Sequence, residues 1–189
     1  MNTTVTPAGV YTEEQKVEKY KRVAQVLATL PNEIKSMATE MSKSMSDVEI
    51  IMRFNQMMSS LFTFLIDKTK PLPNYKDYDF DIYFKLMEKS ISINTKFPIE
   101  RFCLIVLILA PQIYEKNENF FLNYKLNAQI KTSFSNQNEF SIFESEKFKE
   151  LWKIMDTESK NRFVDDFTLL TVFAHTYFLQ VVMKTNKMS

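Results

Sequence analysis

Asp77, Asp79 and Asp81 alternate along the chain, and Glu88 follows seven positions after Asp81. That is the carboxylate spacing with which a calcium-binding loop of the EF-hand type wraps oxygen ligands round a hard cation. The pattern fails at its turn. The position that needs glycine is Ile82, which is β-branched, and Lys85 stands where a ligand oxygen belongs. The aspartates read instead as the acidic start of a helix, where the macrodipole favours negative charge. No metal site is assigned.

The single cysteine, Cys103, and the single histidine, His175, are the one pairing that could make a thiolate–imidazole nucleophile. A reactive thiol needs partial exposure and a nearby positive charge. Cys103 opens an apolar run, and His175 stands between Ala174 and Thr176 in a segment dense with aromatics. Both read as core residues. Carboxylate pairs such as Asp165–Asp166 and Glu144 with Glu146 occur, but neighbouring residues on a helix point in different directions, so Asp165 and Asp166 cannot both face one substrate. Tyr114, Lys116, Phe120, Phe121, Tyr124, Lys125 and Lys131 interleave bases with rings as a single-strand stacking platform does. Glu115 and Glu118 dilute that charge, so no nucleic-acid partner is expected. No catalytic residue and no cofactor is assigned.

The methionines give a positive lead. Six of the 11 fall between Met37 and Met58, and Ile34, Met37, Met41 and Met45 form one narrow stripe with Ser, Thr and Lys between them. Flexible thioethers suit an adaptable partner-binding groove. They also fill gaps in a protein's own core, and this second use weighs somewhat more.

The composition excludes more than it selects. One glycine, Gly9, occurs in 189 residues, where average usage of about 7% predicts about thirteen. Phosphate-cradling loops, dinucleotide fingerprints and nucleophile elbows all need glycine. One His and one Cys also fall short of a Cys/His zinc site. Lys outnumbers Arg, and Asn, Ile, Phe and Tyr are plentiful, a bias that A-T-rich codons produce and that large DNA viruses and parasites often share. Apolar residues make up 45% of the chain, so it is not a disordered one, and 17 phenylalanines imply a substantial core. The net charge of +1 offers no footprint for phosphate binding. A lone cysteine suits a reducing interior, and the polar stretch from Met1 to Tyr11 has no secretory apolar region, so an intracellular, soluble protein is expected.

The elements that position these residues read as helices throughout. Thr12-x-x-Gln15 is a capping box opening a helix to Ala28, behind a flexible tail over 1–11. Pro31 suits the first turn of the helix that carries the methionine stripe. Ser46-x-x-Glu49 restarts or continues it, with Ile50, Phe54, Met57, Leu61 and Leu65 leading to about Lys68. Pro71-Leu72-Pro73-Asn74 marks an extended linker over 71–78, which separates a helical segment over 12–70 from a main bundle over 79–189, the two packed as one domain. Asp79 caps a helix carrying Ile82, Tyr83, Leu86, Met87 and Ile91.

Pro98 opens a central helix over 98–110, apolar on all faces after Arg101 and too short, at nine uninterrupted apolar residues, to span a membrane. Phe120 to Ile130 reads as a further helix, Thr132 to Glu139 as a loop, and Ser141-x-x-Glu144 as the cap of a helix burying Phe148, Leu151, Trp152 and Met155. The last helix follows Asp156 and runs through Phe163, Phe167, Leu170, Ala174, Tyr177, Phe178 and Val181. The expected fold is all-α, an irregular bundle of about seven or eight helices. A central apolar helix wrapped by amphipathic ones is similar to the Bcl-2 architecture, at the level of fold alone and without that family's glycine-containing motifs.

The function expected from these features is non-enzymatic: protein–protein contacts, as a subunit or cement of a larger assembly, a viral one included. Its hypothesised anchors are Ile34, Met37, Met41 and Met45. The first alternative is a helical pocket for a lipid or other small apolar ligand around the central helix. The second is an enzyme with an unfamiliar carboxylate or tyrosine site.

Overall fold

The structure is a computed structural model that describes residues 11–117, 119–120 and 146–186. The helix and loop expected over 120–139 and the cap at Ser141 lie outside these, apart from Phe120 itself. Every regular element among the described residues is helical, and the fold is all-α.

Local chemistry sets the first boundaries. α1 (Glu13–Ala28) begins with the reciprocal capping box: the Thr12 hydroxyl accepts from the Gln15 amide at 3.2 Å, and the Gln15 side chain accepts from the Thr12 amide at 2.9 Å. α2 (Asn32–Ser44) starts one residue later than the proline rule suggests, because Pro31 holds extended backbone (ψ 148°) and serves as the N-cap. Met45 is extended (φ −116°, ψ 144°), so α2 ends there, and the Ser46 hydroxyl accepts from the Glu49 amide to begin α3 (Asp47–Thr69) anew.

The segment 71–78 folds into turns where an extended linker is expected. The Leu72 amide donates to Thr69 O at 2.8 Å, the Tyr75 amide to Leu72 O at 3.1 Å, and a 3-10 turn follows over Tyr75–Tyr78. The φ that proline imposes suits a turn's second residue as well as it suits extended chain. α4 (Phe80–Ile93) begins at Asp79, but not through its side chain. Asp79 holds a left-handed backbone (φ 58°), which turns its carboxylate away from the amides a capping residue reaches. Lys116 (φ 51°) is the other positive-φ residue among the described residues, so this glycine-poor chain makes left-handed turns with ordinary residues at both positions.

The central helix expected over 98–110 is broken. α5 covers Phe97–Ile105, a 3-10 turn covers Leu107–Leu109, and α6 covers Ala110–Tyr114, with a bend of 44° between the parts. Pro111 explains the break: it cannot donate to the carbonyl four residues back, and its ring clashes with that carbonyl. The segment is nonetheless central, with Ile99, Cys103, Leu107 and Ala110 all fully buried.

α7 (Glu146–Ile154) leads into α8 (Thr157–Tyr177), capped by Asp156, whose carboxylate accepts from the Ser159 amide at 2.7 Å. α8 continues through a π-helical turn, Phe178–Val182, to Thr185. This 29-residue stretch is long and apolar enough to cross a membrane, yet 61% of its apolar window is buried against the other helices, as a core helix requires.

α3 and α8 make the most extensive helix pair, and helices on both sides of 71–78 feed one hydrophobic cluster. Phenylalanine builds its spine. Phe54 meets Phe102 edge-on at 5.3 Å, Phe102 meets Phe167 at 5.6 Å, Phe167 stacks on Phe163 at 5.8 Å, and Phe163 meets Trp152 edge-on at 5.6 Å. The chain of rings ties α3, α5, α8 and α7 together. Each such ring contributes about 1.5–3 kcal/mol by burial, with a further 0.5–1.5 kcal/mol for a well-set aromatic pair.

Candidate functional site

The residues singled out for catalysis are dispersed. Cys103 is fully buried, and its thiol donates to Ala174 O at 3.4 Å. Burial pushes its pKa well up, away from reactivity. His175 is hydrogen-bonded through Nδ1 to the Tyr114 hydroxyl at 3.2 Å, not to the thiol. Asp165 pairs with Lys116 at 2.7 Å and Asp166 with Arg162 at 3.6 Å, so the two carboxylates are directed to different neighbours. Asp77 lies in the 3-10 turn, Asp79 at the left-handed corner, and Asp81 and Glu88 on α4. No group of three or more His, Cys, Asp or Glu is placed to hold a metal among the described residues. Of the ring-and-base segment, Tyr114 and Phe120 pack against the core, while 121–131 lie outside the described residues. Glu144 and the side chains of Glu146 and Phe148 also lie outside them.

The methionine stripe divides. Ile34, Met41 and Met45 are half-buried against the core, and Met37 alone is exposed, at 38%. The Gln180 amide donates to Met45 O at 3.1 Å, which ties the end of α2 to the π-helical turn.

A different surface stands out. α4 buries Phe80 and Met87, while Tyr83, Phe84 and Ile91 are half-covered. Ile82 (56% exposed), Leu86 (58%) and Ile93 (77%) face solvent. At spacings of four and seven these three share one face of the helix. The sequence reading named Ile82 and Leu86 together with Tyr83, Met87 and Ile91 on this helix without separating a solvent face. The available signal was width: apolar residues cover more of α4 than one neighbouring helix can bury, and Ile93 extends the surplus.

The exposed face borders a groove. Residues of α3, α4, α5 and α8 enclose an apolar cleft of about 350 Å³, with Leu86 and Phe97 (48% exposed) on its rim and Phe102 and Phe167 on its floor. Its charged lining residue is Arg101. The Arg101 guanidinium lies 5.1 Å from the centre of the Tyr11 ring, and Lys19 Nζ lies 4.2 Å from the same ring and 3.1 Å from its hydroxyl. Burial, then the charges of Arg101 and Arg22, lower the Lys19 pKa to about 8. Arg101 and Lys19 thus bring two basic side chains to one buried ring. On α4 itself Lys85 and Lys89 are exposed beside the apolar stripe, and Lys96 is exposed ahead of Phe97.

This geometry can hold apolar surface and attract negative charge. It sets out no nucleophile with its base and no cluster of ligands.

The chain is 39% identical over 169 residues to an uncharacterized protein of Acanthamoeba polyphaga mimivirus, covering 89% of this chain and 92% of that one. No protein-family model matches the chain, and no solved structure matches it.

Proposed function

The chain belongs to one family with that mimivirus protein, and on this premise we propose that it is a virus-encoded, non-enzymatic interaction protein, a subunit or adaptor of a larger assembly inside the infected cell. Its docking surface is the exposed face of α4 with the groove beside it. The observation that carries the reading is the exposed apolar face of α4, with Ile82, Leu86 and Ile93 left in water, of which Leu86, together with the exposed Phe97, also lines an apolar cleft. Apolar patches of this kind, rimmed by polar residues, mark interaction sites. Lys85, Lys89 and Lys96 at the rim, with Arg101 in the cleft, select a partner protein whose apolar contact surface is edged by Asp or Glu.

The experiment is a paired substitution, Leu86→Asp with Ile93→Asp, in the tagged full chain. Both positions are exposed, so the melting temperature stays within a few degrees while the stoichiometric partner is lost. A variant that keeps its partner would sink the proposal.

A second reading rests on the size of the cleft, which falls in the range of small-molecule pockets. A single-chain apolar ligand with an anionic head would fill it and meet Arg101. Native mass spectrometry separates the two: a co-purified small molecule supports the ligand, a stoichiometric protein the docking surface.

A further inference from the structure

A second pocket, of about 210 Å³ and separate from the α4 cleft, lies among α1, α2 and the far end of α8. Leu27 and Phe178, both buried, form its inner part, with Ala24 and Met183 half-covered beside them. Its polar side is its solvent side, where Thr39 is exposed and Lys35 half-buried. Phe178 begins the π-helical turn, a departure from regular helix that recurs at functional sites.

Lys35 supplies the charge of this pocket. Its Nζ donates to Ala28 O at 3.3 Å, and because both residues line the pocket, the ammonium lies at the wall. No acidic residue lines the pocket, and no carboxylate pairs with Lys35 among the described residues. An ammonium has three protons to donate, so the bond to Ala28 leaves two for a ligand. The other polar groups add no charge. The Thr39 hydroxyl gives its proton to Lys35 O at 2.8 Å. Burial lowers the pKa of His175, which also lines the pocket, to about 4, so its ring is neutral at pH 7.

We propose that this pocket binds a small monocarboxylate with a compact apolar body, a single ring or a short branched chain. The carboxylate pairs with the Lys35 ammonium, and the body packs on Leu27 and Phe178. Volume supports the class: an apolar cavity of about 150 Å³ already accommodates benzene, so one ring fits here. Charge supports a monoanion over a phosphate, since a dianion would leave one charge uncompensated beside apolar wall. A neutral molecule of the same shape forgoes the charge-assisted bond, which is roughly twice as strong as a neutral one.

The test uses the full chain, with cyclohexanecarboxylate as probe and cyclohexanecarboxamide as the neutral control of matching shape. The proposal expects the acid to shift the methyl NMR signals of Ala24 and Met183, and the amide to bind about tenfold more weakly. Lys35→Met keeps an apolar stem and removes the charge, so it should bring the acid down to the affinity of the amide and leave the amide unchanged. Ala24→Leu crowds the pocket and should weaken both probes by about tenfold. It keeps the test decisive even where Lys35→Met fails to fold. Equal affinity of the parent chain for acid and amide, acid binding unaltered by Lys35→Met or by Ala24→Leu, or shifts confined to the α4 cleft would each overturn the proposal. So would the absence of binding by both probes.

Discussion

His175 should make the fold acid-sensitive by an amount that can be worked out. Desolvation lowers its pKa from the ordinary 6.5 to about 4 in the folded chain. Between those values the unfolded chain binds a proton that the folded chain refuses, so stability is fully present above pH 6.5 and is lost as pH falls towards 4. From pH 7.5 to pH 5.5 the loss from this one group is about 1.3 kcal/mol, and fully converted it is about 3 kcal/mol. The perturbation is His175→Gln, which removes the only imidazole in the chain. The assay is urea unfolding of both proteins at the two pH values. The variant has a lower baseline, since Tyr114 loses its partner, but its stability should fall between pH 7.5 and 5.5 by about 1.3 kcal/mol less than that of the parent. Parallel slopes, or a histidine that titrates near 6.5 by NMR, would refute the reasoning.

Three other substitutions probe the local arguments. Asp79→Gly relieves a left-handed corner without removing a capping bond and should raise stability by about 0.5–1 kcal/mol, read by chemical unfolding. Ser46→Ala removes the hydroxyl that starts α3 and should cost about 1 kcal/mol in the same assay. Met41→Ser should cost about 1–2 kcal/mol, because its side chain packs on the core, whereas Met37→Ser at an exposed position should change stability by less than about 0.5 kcal/mol.

Much of the architecture was legible in the sequence because helix ends are local chemistry. Thr12 with Gln15, Ser46 with Glu49, and Asp156 each announce a boundary within four residues, and the structure uses all three. The apolar run after Arg101 declared itself central by lacking a polar face. Its break was marked too, by Pro111, whose effect falls on the residues before it and not only where the run stops. Asp79 was misread as a side-chain cap because the residue type favours both roles, and only backbone geometry tells capping from a left-handed turn.

The candidate surface was much less legible. Helical periodicity reports which face of α4 is apolar, but not how much of that face its neighbours cover. Ile82 and Leu86 satisfy the same spacing rule as Met87, and the difference between them is the presence of α3 and α5 on one side only. The sequence placed Phe54, Phe163 and Phe167 on their helices and Trp152 on a buried face, but not against one another, because a ladder from Phe54 to Trp152 depends on four helices meeting. His175 read correctly as a core residue, yet its position beside a cavity arises from α1 and α2, more than a hundred residues earlier in the chain.

The central claim, that α4 is a docking surface, is tested most directly by amine cross-linking of the tagged protein in its own source, followed by mapping of the cross-linked lysines. The account predicts a stoichiometric partner protein joined through Lys85, Lys89 or Lys96, with those cross-links abolished by Leu86→Asp and Ile93→Asp together. Cross-links confined to other lysines, or a monomer without a protein partner, would contradict it.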